Sequence, residues 1–141
     1  GRSAKALLKM VGVDVPDTIR CITFEGEKEH PLIATELMMP ILGVVRARDF
    51  KDAVEKAVWL EHGNRHSAHI HSKNVDHITE YAKAIDTAIL VKNGPSYAAL
   101  GFGGEGYCTF TIASRTGEGL TAAHTFTKSR RCVMVESLCI R

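Results

Sequence analysis

The 141-residue chain has no long apolar run and no strong excess of charge of one sign. No apolar stretch approaches the ~20 residues of a bilayer-spanning helix, so we expect no membrane span. The 18 basic and 16 acidic side chains give a formal charge of +2, which does not indicate binding to nucleic acid or to a membrane surface. The first residues also lack the charged and apolar regions of a signal peptide, so we expect no export signal.

The four cysteines form no Cys-x-x-Cys pair, which excludes a zinc ribbon and a thioredoxin-type redox motif. They are Cys21, Cys108, Cys132 and Cys139. None lies in a recognisable nucleophile setting, and the composition is that of a reduced cytosolic protein. We therefore predict four reduced thiols that pack as small apolar side chains.

Strand and helix patterns alternate through the middle of the chain, whose length suits one domain. They are a strand over 40–45 covered on both faces, a helix from Asp49 to Gly63, a strand over 67–71, a helix capped by Ser72 or Asn74 that buries Val75, Ile78, Ala82 and Ile85, and a strand over 88–91. An opening helix over 4–11 and a strand over 19–24 come before them. Short strand–helix–strand connections form right-handed βαβ crossovers, so the predicted fold class is α/β with a parallel sheet.

Glycine is concentrated in one region, since residues 93–121 hold seven of the 12 glycines. A stretch of this length and composition is typical of a binding or active-site loop. Residues 101–106 fit the dinucleotide pattern G-x-G-x-x-G, but a β-like run over 107–112 follows where that motif needs a helix. A small nucleotide-binding or regulatory domain therefore remains an alternative only if a helix begins there.

Four histidines fall within ten residues: His62, His66, His69 and His71. On a strand, His69 and His71 would point to one face and could supply two metal ligands. No cysteine or carboxylate completes a zinc pattern, so hydrogen-bonded or solvated histidines are favoured and we expect no metal site. The alternative from another functional class is a non-enzymatic α/β module that binds a metal through residues 62–71.

Glu36 stands just before the apolar strand over 40–45. A carboxylate at the mouth of a strand can accept two hydrogen bonds from a vicinal diol such as a ribose. From the residues alone, however, a solvated loop glutamate is the favoured interpretation.

Several ordered motifs resemble aldehyde dehydrogenases. Residues 36–40, ELMMP, resemble that family's segment of Glu, any residue, an aromatic or Met, any residue, and Pro. Further runs are similar to the coenzyme A-acylating branch, the propionaldehyde and acetaldehyde dehydrogenases of propanediol and ethanolamine utilisation. These runs are EHGNRH at 61–66, HSKN at 71–74, VKNGPSY at 91–97, GGEG at 103–106, TGEG at 116–119 and the segment 125–133.

The resemblance implies a reaction and a set of site residues. In this branch a cysteine thiolate attacks a short-chain aldehyde, the hemithioacetal gives hydride to NAD, and coenzyme A takes the acyl group from the thioester. By resemblance, the cofactor-binding residues are Glu36, on the nicotinamide ribose hydroxyls, and Met38, near the nicotinamide. The residues that line the aldehyde and acyl pocket are Asn93, Gly94, Pro95 and Ser96.

The resemblance also implies that this chain is one part of such an enzyme. The dinucleotide domain and the nucleophilic cysteine of the family lie further upstream than the 35 residues before Glu36. We therefore expect the C-terminal part of the catalytic domain over about residues 1–121, followed by an arm and an oligomerisation strand over 122–141, with residues 131–135 pairing with another chain. The expected protein is a cytoplasmic homo-oligomer, in a bacterial microcompartment where the pathway uses one, and the isolated chain should be inactive.

Overall fold

The computed structural model describes residues 1–104, 121–133 and 135. Its elements are α1 (Ala4–Met10), β1 (Ile22–Glu25), α2 (Pro31–Ala34), β2 (Ile41–Val44), α3 (Phe50–Glu61), β3 (Ser67–Ile70), α4 (Val75–Ile85), β4 (Ile89–Lys92) and two 3-10 helices (Ser96–Leu100 and Ala123–Phe126). The alternation confirms the predicted α/β class. Within these ranges no helix is both long enough and apolar enough to cross a bilayer.

The four strands form two parallel pairs. β1 pairs with β2, with Ile22 opposite Ile41, and β3 pairs with β4, with Ser67 opposite Ile89. Because α4 connects β3 to β4, the predicted βαβ crossover is present there. The prediction of one sheet is wrong for the described strands, since β2 and β3 are in separate sheets. Local patterns predict strands but carry no information about which strands pair.

Helix α3 begins at its predicted cap and ends close to its predicted stop. The Asp49 carboxylate accepts a hydrogen bond from the Asp52 backbone N–H at 2.9 Å, which satisfies one of the free donors of the first turn. At the other end His62 (φ 56°) and Gly63 (φ 77°) are both left-handed. The left-handed stop therefore starts one residue before the predicted glycine, at a histidine.

Helix α4 starts at the second of its two predicted caps. The Asn74 side-chain oxygen accepts hydrogen bonds from the backbone N–H groups of Asp76 and His77. Ile85 is 2% exposed, as predicted, but Val75 is 71% exposed. Helical side chains tilt towards the N terminus, so a residue at the first position points past the end of the packed face.

Strand β2 is covered on one face only, which contradicts the prediction of a strand buried on both. Leu42 is 57% exposed and Val44 is also exposed, whereas Ile41 and Gly43 face α2 and are half-buried. A sheet needs a packed layer on each apolar face, and the described residues supply one here.

The predicted packing of the cysteines is wrong for the two that the structure describes, although both are unpaired thiols as predicted. Cys21 and Cys132 are free thiols, but both are exposed rather than packed. Cys108 and Cys139 lie outside the described residues. So do Glu105, Gly106 and the run 107–112, which leaves the dinucleotide-motif interpretation a prediction. Residues 131–133 form no strand within the chain, and the oligomerisation strand also stays a prediction.

Candidate active site

Two segments that follow neighbouring strands meet at one edge of the β3–β4 sheet. Residues 71–74 follow β3, and residues 93–96 follow β4. Because the strands are parallel, their carboxyl ends lie side by side, which is the usual position of ligand sites in α/β sheets. Four of the predicted site residues, Asn93 to Ser96, are therefore at an edge suited to a ligand.

Asn93 connects these two segments. Its side-chain oxygen accepts a hydrogen bond from the Ser72 backbone N–H at 2.8 Å, and its side-chain nitrogen donates to the Ser72 carbonyl at 2.9 Å. The Asn93 backbone N–H donates to the Ile70 carbonyl at 2.8 Å. Together these bonds extend the pairing of β3 and β4 beyond the last residues of the strands.

A second contact connects the same segments. The Ser96 hydroxyl lies 2.9 Å from Nε2 of His69, a residue of β3. The hydroxyl can donate to or accept from that nitrogen, according to the ring tautomer. This contact fixes the orientation of the hydroxyl at the start of the 3-10 helix Ser96–Leu100.

Gly94 and Pro95 line a cleft of about 740 Å³ along β4. The 3-10 helix and the glycine-rich segment form its other wall, through residues that include Ala98, Phe102 and Gly104. The lining is mostly backbone and small or apolar side chains. Such a lining suits a small, weakly polar molecule rather than a charged one.

Glu36 and Met38 lie elsewhere, on the loop between α2 and β2. The Glu36 carboxylate is exposed and has no hydrogen-bond donor among the described residues, so its oxygen lone pairs are available. Met38 is 84% exposed. No hydrogen bond or ion pair among the described residues joins this loop to residues 93–96. The structure therefore brings the predicted pocket-wall residues together but shows no such bond between them and the predicted cofactor residues.

A smaller cleft of about 360 Å³ lies between α3, α4 and the end of β3. The Phe50 and His77 rings stack across it, with centroids 4.0 Å apart and planes within 7°. Tyr81 also lines it, and its burial, followed by the nearby charge of Glu61, raises the pKa of the phenol. The Tyr81 hydroxyl is therefore protonated at neutral pH.

The clustered histidines do not form a metal site in the part of the chain that the structure describes, where no three side chains of His, Cys, Asp or Glu are grouped to hold an ion. His62 and His69 each contact a different protein group, the Ala34 carbonyl and the Ser96 hydroxyl. Nδ1 of His66 is buried without a hydrogen-bond partner among the described residues. The metal-binding alternative gains no support from this arrangement.

Sequence reasoning missed the roles of His69 and Ser72. The sequence predicted His69 as a candidate metal ligand and Ser72 as a candidate helix cap. In the structure both residues hold the 93–96 segment in place, through hydrogen bonds to Ser96 and Asn93. A usable signal was present, because both residues lie at the end of a strand predicted to be parallel to its neighbour. Carboxyl ends of parallel strands converge, so their polar residues can be expected to meet.

No protein-family model matches the chain. Individual proteins are nevertheless similar to it over almost its whole length. The acetylating acetaldehyde dehydrogenase EutE of Salmonella typhimurium is 48% identical over 137 residues, which are 97% of this chain and 29% of that enzyme. A solved propionaldehyde dehydrogenase from the Clostridium phytofermentans fucose utilisation bacterial microcompartment is 82% identical, with a TM-score of 0.90 over all of this chain and 32% of its own.

A second solved structure is the propionaldehyde dehydrogenase of Rhodopseudomonas palustris with bound CoA and an acylated cysteine. It is 54% identical, with a TM-score of 0.88 over 95% of this chain and 30% of its own. An engineered glycolyl-CoA reductase, also similar, holds NADP+. The chain spans about 30% of the length of the relatives it matches. Its homologues are CoA-acylating aldehyde dehydrogenases, and the chain corresponds over almost its whole length to one continuous portion of them.

Proposed function

We propose that this chain is the C-terminal part of a CoA-acylating aldehyde dehydrogenase. The whole enzyme converts a short-chain aldehyde, CoA and NAD to acyl-CoA and NADH. The observation that carries this proposal is the similarity along the full chain to a propionaldehyde dehydrogenase, at 82% identity and a TM-score of 0.90. The parallel strands and the polar edge at residues 93–96 are consistent with a catalytic-domain segment.

Glu36 binds the nicotinamide ribose in this proposal. A ribose diol needs an acceptor with free lone pairs, and the exposed Glu36 carboxylate has no described donor that competes for them. The bound cofactor supplies the hydride acceptor, and Glu36 holds the ribose so that the nicotinamide faces the substrate. The exposed Met38 side chain, two residues further on, contacts the nicotinamide region.

Residues 93–96 form a wall of the aldehyde and acyl pocket. Asn93 fixes this segment to Ser72, while Gly94 and Pro95 present backbone and a rigid ring to the adjacent cleft. His69 orients the Ser96 hydroxyl. The wall is thus held by hydrogen bonds to β3 and its following loop rather than by its own packing.

The reactive cysteine lies in the part of the enzyme that precedes this chain. Residues 1–121 belong to the catalytic region, and residues 122–141 form an arm whose strand pairs with another subunit. The enzyme is cytoplasmic and works inside a bacterial microcompartment. Without the nucleophile and the remaining cofactor contacts, the isolated chain does not oxidise aldehydes.

NADH formation by the full-length enzyme with propionaldehyde, NAD and CoA tests the proposal. We expect CoA-dependent NADH formation by the full-length enzyme and none by the isolated chain. Glu36→Gln should raise the KM for NAD by roughly 10- to 100-fold, because a charge-assisted hydrogen bond contributes about 1.5–3 kcal/mol. Glu55→Gln, an exposed change on α3, is the matched control. Absence of CoA-dependent aldehyde oxidation would overturn the proposal.

A further inference from the structure

The end of α3 is hydrogen-bonded to the end of α2, immediately before Glu36. Nε2 of His62 lies 2.7 Å from the carbonyl oxygen of Ala34. Because a carbonyl can only accept, the ring nitrogen is the donor. Ala34 is the last residue of α2 and lies two positions before Glu36. One side chain from α3 therefore holds the point at which the Glu36 loop begins.

The His62 ring is itself held in place. The residue is the left-handed C-cap of α3, and its backbone N–H bonds to the Trp59 carbonyl. Its ring lies beside the Trp59 indole, with centroids 5.5 Å apart. The Lys28 ammonium sits 4.1 Å from the Trp59 ring centroid and so packs on the same aromatic group. The donor nitrogen is presented to α2 by a backbone turn and an aromatic neighbour.

Helix α2 depends on such outside contacts. It has four residues, about one turn, and a helix this short is not stable by itself. Its N-terminus is capped when Nδ1 of His30 accepts a hydrogen bond from the Leu32 N–H at 3.2 Å. Its side facing β2 is fixed by Ile33, which packs directly on Gly43. Among the described residues, the hydrogen bond from His62 is the one that joins the C-terminal end of α2 to another helix, α3.

We infer that His62 is a positioning residue for Glu36: by donating a hydrogen bond to Ala34, it holds the α2–β2 loop where the carboxylate can bind the nicotinamide ribose. The inference rests on the proposed role of Glu36. In this inference His62 acts through the Ala34 carbonyl, so its loss should weaken cofactor binding without changing the chemistry of the reacting groups.

The test uses the full-length enzyme and three variants. His62→Ala removes the donor, and His62→Gln replaces it with an amide N–H of similar reach. Both variants place an ordinary Cβ-bearing residue at the left-handed position (φ 56°), so the backbone cost is common to the pair and the two differ in the donor. Asn64→Ala is the control, because the Asn64 side chain donates to the Glu61 carbonyl at the same end of α3 and is not among the described contacts of α2.

We expect His62→Ala to raise the KM for NAD by roughly 2- to 10-fold, the equivalent of one hydrogen bond, with little change in the KM for aldehyde. Amide hydrogen exchange over residues 32–40 should also become faster. His62→Gln should restore both properties to near native values, and Asn64→Ala should leave both unchanged. A merely structural role would not give this separation between donor-retaining and donor-lacking variants.

The outcomes separate this inference from the proposed function. If His62→Ala leaves exchange and the KM for NAD native while Glu36→Gln raises that KM, His62 does not position the loop and the proposed function stands. Failure of His62→Gln to restore the KM, or an equal defect in Asn64→Ala, also overturns the inference. If Glu36→Gln leaves the KM for NAD native, the ribose role of Glu36 is wrong and the inference falls with it.

Discussion

The side-chain amide of Asn93 bonds to the backbone of Ser72 as a residue of a neighbouring strand would, donating at 2.9 Å and accepting at 2.8 Å. Asn93 has a left-handed φ of 55°, a conformation that asparagine tolerates better than most side chains. The residue thus turns the chain at the end of β4 and anchors the turned segment in the same step. The Asn93 amide contributes to the candidate site by fixing residues 93–96, the proposed wall of the aldehyde and acyl pocket, to Ser72.

Replacing Asn93 with glycine should loosen the segment at Ser72. Asn93→Gly removes both side-chain bonds but permits the left-handed backbone, so the effect reports the bonds themselves. We expect the Ser72 amide to exchange about 10-fold faster, which corresponds to about 1.4 kcal/mol. Asn93→Asp keeps the acceptor and should preserve the protection of that amide. Native exchange at Ser72 in Asn93→Gly would show that the Asn93–Ser72 bonds do not hold the segment.

Gly43 is required by the packing of α2 on β2. A Cβ at this position would lie well inside van der Waals contact with Ile33. Gly43→Ala should therefore lower the stability of the enzyme by about 1–3 kcal/mol, as overpacking does. Thermal unfolding of the full-length enzyme measures the effect. In Gly94→Ala, the matched control, the new methyl group meets Ala98 and Val91 at an ordinary 3.5 Å and should cost less.

A double-mutant cycle between Gly43 and Ile33 tests whether their contact causes the loss of stability. Ile33→Ala removes the two nearest atoms that the new methyl group would meet, Cγ1 and Cδ1, so Gly43→Ala should cost less in the Ile33→Ala background than in the native one. Strictly additive losses would mean that another contact explains the defect.

Asp52 is the buried centre of an ion-pair network at the start of α3. Asp52 is 8% exposed. Its carboxylate accepts a hydrogen bond from the Lys56 ammonium at 2.8 Å and another from the Arg48 backbone N–H at 2.9 Å. Lys56 also donates to the Arg46 carbonyl at 2.7 Å. The Lys56 bond, followed by the Arg48 backbone bond, holds the pKa of Asp52 well below its usual range.

Acid should weaken this network in a defined direction. Because the pKa of Asp52 is lower in the folded than in the unfolded protein, its contribution to stability is present above the unfolded value of about 4 and is lost as the pH falls towards the folded value. Asp52→Asn should lower the thermal midpoint at pH 7 and make the midpoint less sensitive to acid. Asp14→Asn, an exposed change after α1, should do neither. A native acid response in Asp52→Asn would contradict the assignment.

Local signals in the sequence were sufficient to predict most of the elements. Asp49 and Asn74 cap their helices because side-chain capping acts over two or three residues and can be read without a partner. The exposure of Leu42 and Val75 could not be predicted in this way, because it depends on which surfaces another layer covers. Strand pairing could not be predicted either, because it depends on segments that are distant in the sequence.

The candidate site was predictable only in part. The bonds that hold the pocket wall join residues 21 positions apart for Asn93 and Ser72, and 27 apart for Ser96 and His69. Such pairs follow from the parallel alignment of β3 and β4, which hydrophobic spacing does not specify. The proposed role of Glu36 came from resemblance, since an exposed carboxylate on a loop has no local feature that distinguishes it from a solvated one.

Mapping the acyl-enzyme tests most directly whether this chain is the non-nucleophilic part of a CoA-acylating dehydrogenase. The full-length enzyme would be incubated with propionyl-CoA and digested, and the propionyl thioester located by mass spectrometry. We expect it on a cysteine that precedes this chain, with Cys21, Cys108, Cys132 and Cys139 unmodified. A propionyl group on any of these four, or no enzyme-bound acyl group at all, would contradict the proposal.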